Sequence, residues 1–228
     1  MTSDAAPPPL PPPAKRQPRS IETRNRIIEA AERLFAHRSF ASISMREVTS
    51  EAGVALSAAN YHFGSKEELF RAVFMRRARQ LNRERADLLA KAIAERAGGV
   101  LPLRMILDAL LRPGVRWSFA EDDRGLFIQF LERGHLDRDS PIYQILHNDL
   151  SHLKNFVPHL QATLPELSLE DIYWRLHFSL GALHYTITSL ARLRSLSEGL
   201  CGVQGFDETL ERILDHCEAS FRSPTRGS

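Results

Sequence analysis

The chain has 228 residues, a near-balanced formal charge of +2 and only two cysteines. Such a length supports a substantial core in one or two domains, while the charge balance excludes a globally basic nucleic-acid binder, so any such affinity must be local. Two cysteines exclude a disulfide framework and fit a reduced, cytoplasmic protein, and neither a bilayer-length apolar run nor an apolar signal-peptide core is present.

Residues 1–20 read as an unfolded arm, because APPPLPPPA favours extended polyproline and cannot build a core. The Lys15, Arg16 and Arg19 that follow are either a solubilising tail or an arm for DNA phosphates. From about Ile21 to Arg38 the spacing of Ile27, Ile28, Ala31, Leu34 and Phe35 predicts an amphipathic helix, with Phe40 and Ile43 covering its open end.

The next stretch, from Ile43 to Phe70, carries strong boundary signals. Ser44 and Glu47 form the pattern of a capping box, with Ile43 and Val48 placed as its hydrophobic staple. Ser65 and Glu68 repeat the box, and Gly53 falls where a helix must stop and turn through positive φ. Two short helices and a third entered through Ser65-Lys66 make a build suited to placing one helix in a DNA groove.

A long helix is expected from Lys66 to about Ala97, ended by Gly98 and Gly99, and its basic run RRARQLNRER reads as a solvated face. Further helices are expected over Leu101–Leu111, Asp122–Gly134, Ser140–Leu164, Ser168–Leu196 and Asp207–Arg222, with no sustained strand pattern, so the chain is all-α. The Ser168–Leu196 segment is apolar nearly all round, with Ile172, Leu176, Leu180 and Leu183 on one stripe and Trp174, Phe178 and Tyr185 on another. A helix of that kind must be buried nearly all round. It and the last helix suit either a dimer interface or the centre of a monomer.

From Gly53-Val54 through Asn60-Tyr61-His62-Phe63-Gly64-Ser65-Lys66 the chain resembles the TetR/AcrR family of bacterial transcriptional regulators, over about residues 21–75. The NYHFGSK wording is similar to a branch that includes fatty-acid-responsive repressors. The resemblance implies a helix-turn-helix domain over 21–66, a ligand-binding and dimerisation domain over 67–222 and a short tail at 223–228. It also implies a homodimer on double-stranded operator DNA, with half-sites about one helical turn apart, ~34–36 Å. Carried over by motif position, Ser57, Ala58 and Asn60 face base edges, while Ser44, Arg46, Tyr61, His62 and Lys66 meet phosphate. One departure is Ala55, which cannot cap the recognition helix (Leu56 to Tyr61), and Ser57 is the alternative start expected for the regular helix.

Trp117, Phe127, Phe130, Phe156, Trp174 and Phe178 supply aromatic surface beyond the DNA-binding unit. Each alone reads as core; as a set, with the effector-gated design that the resemblance implies, they mark a pocket for an apolar or amphipathic small molecule. Arg133 and Arg175 are the cationic candidates for an anionic effector, such as a fatty acid or its coenzyme A thioester. His147, His152, His159, His177 and His184 lack metal-site spacing, so neither metal nor cofactor is expected. No nucleophile elbow, phosphate loop or H-E-x-x-H is present, and no enzyme is expected. Two other readings stand beside the repressor: a helical protein-interaction module, and a redox signal at Cys201.

Overall fold

The computed structural model describes residues 17–136, 151–202 and 205–224, and among them all regular structure is helical. In chain order the helices are α1 (Gln17–His37), α2 (Met45–Ala52), α3 (Leu56–Phe63), α4 (Lys66–Glu95), α5 (Leu103–Ser118) and α6 (Asp123–Leu136). They continue as α7 (Ser151–Lys154), α8 (Val157–Thr163), α9 (Leu169–Leu196) and α10 (Phe206–Arg222). The first helix starts at Gln17, inside the stretch read as an unfolded arm; Lys15 and Arg16 lie outside the described residues.

Capping chemistry sets the boundaries of α2. The Ser44 hydroxyl accepts from the Glu47 N–H, and a Glu47 carboxylate oxygen accepts from the Ser44 N–H at 2.8 Å. Gly53 then closes the helix at φ +62°, ψ +42°, left-handed backbone that disfavours any residue with a Cβ. At Ser65 only half of the expected box forms: its hydroxyl accepts from the Glu68 N–H.

Two hydrophobic cores follow, both reached by α4. One joins α1–α3 and the first half of α4 to α6: Phe70 lies 4.8 Å from both Phe35 and Phe130, edge-on to each. The other joins the end of α4 to α5, α8, α9 and α10 around Ile106, Leu110, Leu160, Ile172 and Leu214. The three-helix unit is therefore not closed by itself; α6 supplies the lid of its core.

Several expectations need correction. The helix expected to stop at Leu111 runs to Ser118 through Pro113, because Val115 and Trp117 beyond it are fully buried. In place of one helix to Leu164, residues 151–163 form two short ones with Pro158 in the first turn of the second, while Ser140–Leu150 and His147 lie outside the described residues. Nor is the basic run of α4 wholly solvated. Arg77 and Arg85 are buried, and Arg77 ties three helices together: it donates to both oxygens of Glu32 on α1 and, through Nη2, to Asp123 on α6 at 2.7 Å. Burial pushes the Glu32 carboxyl above the usual range in spite of Arg77. Burial likewise opposes the charge on Arg77, but Glu32 and Asp123 outweigh it and hold the guanidinium protonated.

Finally, α9 is not buried all round. Ile172, Leu176 and Leu183 face the core, but Trp174 is 54% and Phe178 58% exposed, with Tyr173 and Tyr185 beside them. Among the described residues no helix is long and apolar enough to cross a membrane.

A candidate DNA interface and an interior cavity

The helix α3 is anchored by Ala59 and Phe63 and turns its other residues outward. Ser57, Asn60 and Tyr61 are exposed, Tyr61 at 81%, and Ala58 and His62 are half-buried. The Tyr61 and His62 rings meet edge-on at 5.2 Å. Ala55 occupies the cap position with no side-chain bond, as its chemistry requires, and the helix begins at Leu56 instead of at Ser57. Asn60 therefore offers an amide that can pair two ways with adenine, and Tyr61 a hydroxyl suited to phosphate.

Two of the expected phosphate contacts are already engaged. Lys66 donates to the carbonyls of Phe40 and Ile43 at 2.9 and 3.0 Å, with its ammonium 4.1 Å above the Phe40 ring. Its role here is to strap the loop before α2 to the start of α4, leaving one N–H for anything else. Ser44 spends its N–H and its hydroxyl proton on Glu47. Arg38 also binds that carboxylate, at 2.8 Å, and the set holds Glu47 far below the usual carboxylate range, at about 2. Arg46, by contrast, is exposed.

The basic surface extends beyond the motif. Arg24 lies 5.2 Å over the Phe63 ring at the end of α3, and with Arg71, Arg79 and Arg83 it lines a hollow between α1 and α4. Arg26 clamps the turn, donating to the carbonyls of Ala52 and Gly53. The motif reading missed these residues, since only the helix packing brings α1 and α4 side by side; the arginine run in α4 was the available signal.

The aromatic set chosen for a pocket is split by the structure. Trp117 and Phe130 are fully buried in the core that holds α6 against α1 and α4, and the Trp117 Nε1 donates to Glu84 at 3.1 Å. Phe156 is packed in the second core, and Trp174 and Phe178 stack on each other on the open face of α9. Arg175 is buried and donates to the carbonyls of Ser220 and Phe221, capping the end of α10. The side chain of Arg133 lies outside the described residues. Of the set only Phe127 lines a cavity, one of about 310 Å³ that opens to solvent between α4, α5, α6, α7 and α9.

That cavity has Phe74, Leu131, Leu180, Leu183 and Ile187 among its apolar wall and Arg79, Asn82, Arg85, His152 and His184 as polar groups. Gly114 makes room for it: a Cβ there would sit 3.3 Å from a Leu183 methyl. A larger hollow, about 530 Å³, lies between α9 and α10 near Cys201, but no residue of α4 lines it. Cys201 is exposed, whereas Cys217 is buried in α10, where burial raises its thiol pKa. Among the described residues no group of three metal-ligating side chains occurs.

Comparison with known proteins matches residues 27–73 to the family described as "Bacterial regulatory proteins, tetR family" and residues 108–220 to "Tetracyclin repressor-like, C-terminal domain". An uncharacterised HTH-type transcriptional regulator of Mycobacterium tuberculosis is 39% identical over 88 residues, 37% of this chain; the match spans 44% of the relative's length. Among solved structures, NalD, the secondary repressor of the MexAB-OprM multidrug efflux pump in Pseudomonas aeruginosa, aligns at a TM-score of 0.59 and 19% identity, over 88% of this chain and 97% of its own. The fatty acid degradation regulator FadR from Bacillus halodurans aligns at 0.55 and 13%, over 94% and 100%. At these identities the likeness is one of fold.

Proposed function

The chain belongs to the TetR family of bacterial transcriptional regulators, DNA-binding transcription factors and not enzymes, and on that premise we propose a homodimeric repressor released from a palindromic operator by a small-molecule effector. The observation that carries this reading is the course of α4. Its first turn buries Leu69 and Phe70 in the core under α3, and Phe74, Leu81 and Arg85 further along line the cavity. An effector that fits the cavity better in one arrangement of α4 and α6 shifts the population of α3 spacings, and DNA affinity with it.

Dimerisation is supported by the open face of α9. Trp174, Phe178 and Tyr185 lie there with Gly181 among them, and a Cβ on Gly181 would meet nothing within 4 Å. A monomer gains nothing from so large an exposed aromatic stripe, while a second copy of the helix approaching at Gly181 would cover it. Ser57, Ala58 and Asn60 read the bases, and Arg46, Tyr61, His62 and Arg24 meet the phosphates. The effector is apolar or amphipathic, a fatty acid being one member of that class.

A gel-shift titration with the DNA flanking its own gene tests this. Specific binding is expected, falling steeply with salt as phosphate contacts release counterions. Asn60→Ala with Tyr61→Ala should remove it without changing the dimer. A sequence-independent shift, or one unaffected by salt, refutes the reading.

A further inference from the structure

Among the described residues three arginines are buried, and two have their charge answered. Arg77 has Glu32 and Asp123. Arg175 sits on the last carbonyls of α10, the negative end of a helix. Arg85 differs: its Nε donates to the Leu110 carbonyl at 3.0 Å and Nη1 to the Asn82 amide oxygen at 3.1 Å, and no carboxylate among the described residues reaches it. A guanidinium has five N–H groups, so three find no acceptor among the described residues, one on Nη1 and both on Nη2. Nη2 is not sealed off by protein either, since Arg76 Nη1 is the only walled-in side-chain nitrogen without a partner among the described residues. Arg85 is instead part of the cavity wall. Burial is also strong enough to pull its pKa down to about 10.

A buried cation that no carboxylate among the described residues reaches is expensive, and burial alone gives no reason to prefer it to a Leu or Met of similar volume. The residue thus has the signature of a binding group whose counter-charge arrives from outside. We infer that the α4–α9 cavity is a receptor for a monocarboxylate with an apolar body, and that these three N–H groups of Arg85 hold the carboxylate.

This inference rests on the effector-gated reading above. The guanidinium fork matches a carboxylate in two parallel bonds, a match that an alcohol or ester cannot make. Size narrows the class further. A cavity of about 150 Å³ holds one benzene ring, so about 310 Å³ takes roughly a dozen non-hydrogen atoms. That suits a medium-length straight-chain acid or a two-ring aromatic acid.

Calorimetric titration of the full-length protein with decanoate and 2-naphthoate, each against its methyl ester, tests the assignment and separates aliphatic from aromatic acids. At least one acid is expected to bind about tenfold or more tighter than its ester, the effect of a hydrogen-bonded charge pair. Arg85→Gln should erase that preference, bringing acid and ester to equal affinity, and Arg85→Met should melt at or above the wild-type temperature. Equal binding of acid and ester, or an acid preference that survives Arg85→Gln, overturns the assignment. So does a lower melting temperature for Arg85→Met, which would make Arg85 a strut to Leu110. If the esters bind and release DNA while the acids do not, the effector-gated reading stands and the carboxylate assignment falls. If none of the four probes binds, the effector pocket falls with it.

Discussion

Replacing Arg77 by Met strands Glu32, which is 3% exposed and has Arg77 as its principal partner. Removing one member of a buried pair typically costs about 3–5 kcal/mol, but here the survivor can escape by taking up a proton. From an ordinary carboxyl value of 4.5, that escape costs ~1.36 kcal/mol per pH unit, or about 3.4 kcal/mol at pH 7 and about 0.7 at pH 5. Those figures are ceilings on the penalty from Glu32. Asp123 adds little, because its side chain is largely in water. The sign follows from a folded-state pKa raised above the unfolded one: the variant keeps its stability below about pH 4.5 and loses it as pH rises. In a chain of this length the pH 7 penalty lowers the melting temperature by roughly 7–14 °C. Thermal melts of Arg77→Met at pH 5 and pH 7, at fixed protein concentration, measure it. Adding Glu32→Gln should recover most of the loss and flatten the pH dependence. A penalty equal at both pH values, or a double variant no better than the single, refutes the reasoning.

Gly53→Ala should cost about 1–2 kcal/mol for the left-handed backbone, and more if Arg26 is displaced, since the new Cβ would lie 2.9 Å from its Nη2; denaturant titration gives the value. Glu47 is held at about 2 chiefly by Arg38, then by Ser44, so its contribution is complete above pH 4.5 and lost as pH falls through 2. Melts of wild type and Glu47→Gln should therefore converge as the medium is acidified. Trp174→Ser with Phe178→Ser should turn the dimer into a monomer, weakening association by roughly 30-fold or more per aromatic anchor; sedimentation at micromolar concentration reads it, and operator binding should fall in parallel.

Short-range chemistry was legible in the chain. The Ser44–Glu47 box, the Gly53 turn and the missing cap at Ala55 all follow from residues within one or two helical turns of each other. Local hydrogen bonding and backbone sterics suffice to fix such features, so a single sequence displays them. The aromatic pocket failed for the opposite reason. Nothing in the spacing of Trp117, Phe130, Phe156 and Trp174 says which helix each will face, and they went to three different places. Lys66 reads as a phosphate ligand until the carbonyls of Phe40 and Ile43 are seen beneath it.

The sequence by itself determined that the chain is helical and that a helix-turn-helix opens it. Periodicity and capping are properties of a segment, and they survive whatever the segment packs against. Only the tertiary structure decided what each arginine of RRARQLNRER does. As sequence, Arg77, Arg79 and Arg85 are equivalent cations on one helix; in the fold one is neutralised by Glu32 and Asp123, one is exposed at the cavity it helps to line, and one is buried in that cavity's wall with no carboxylate among the described residues in reach. The energy of a charge depends on the dielectric and the partners around it, and those are supplied by residues 25 to 46 positions away.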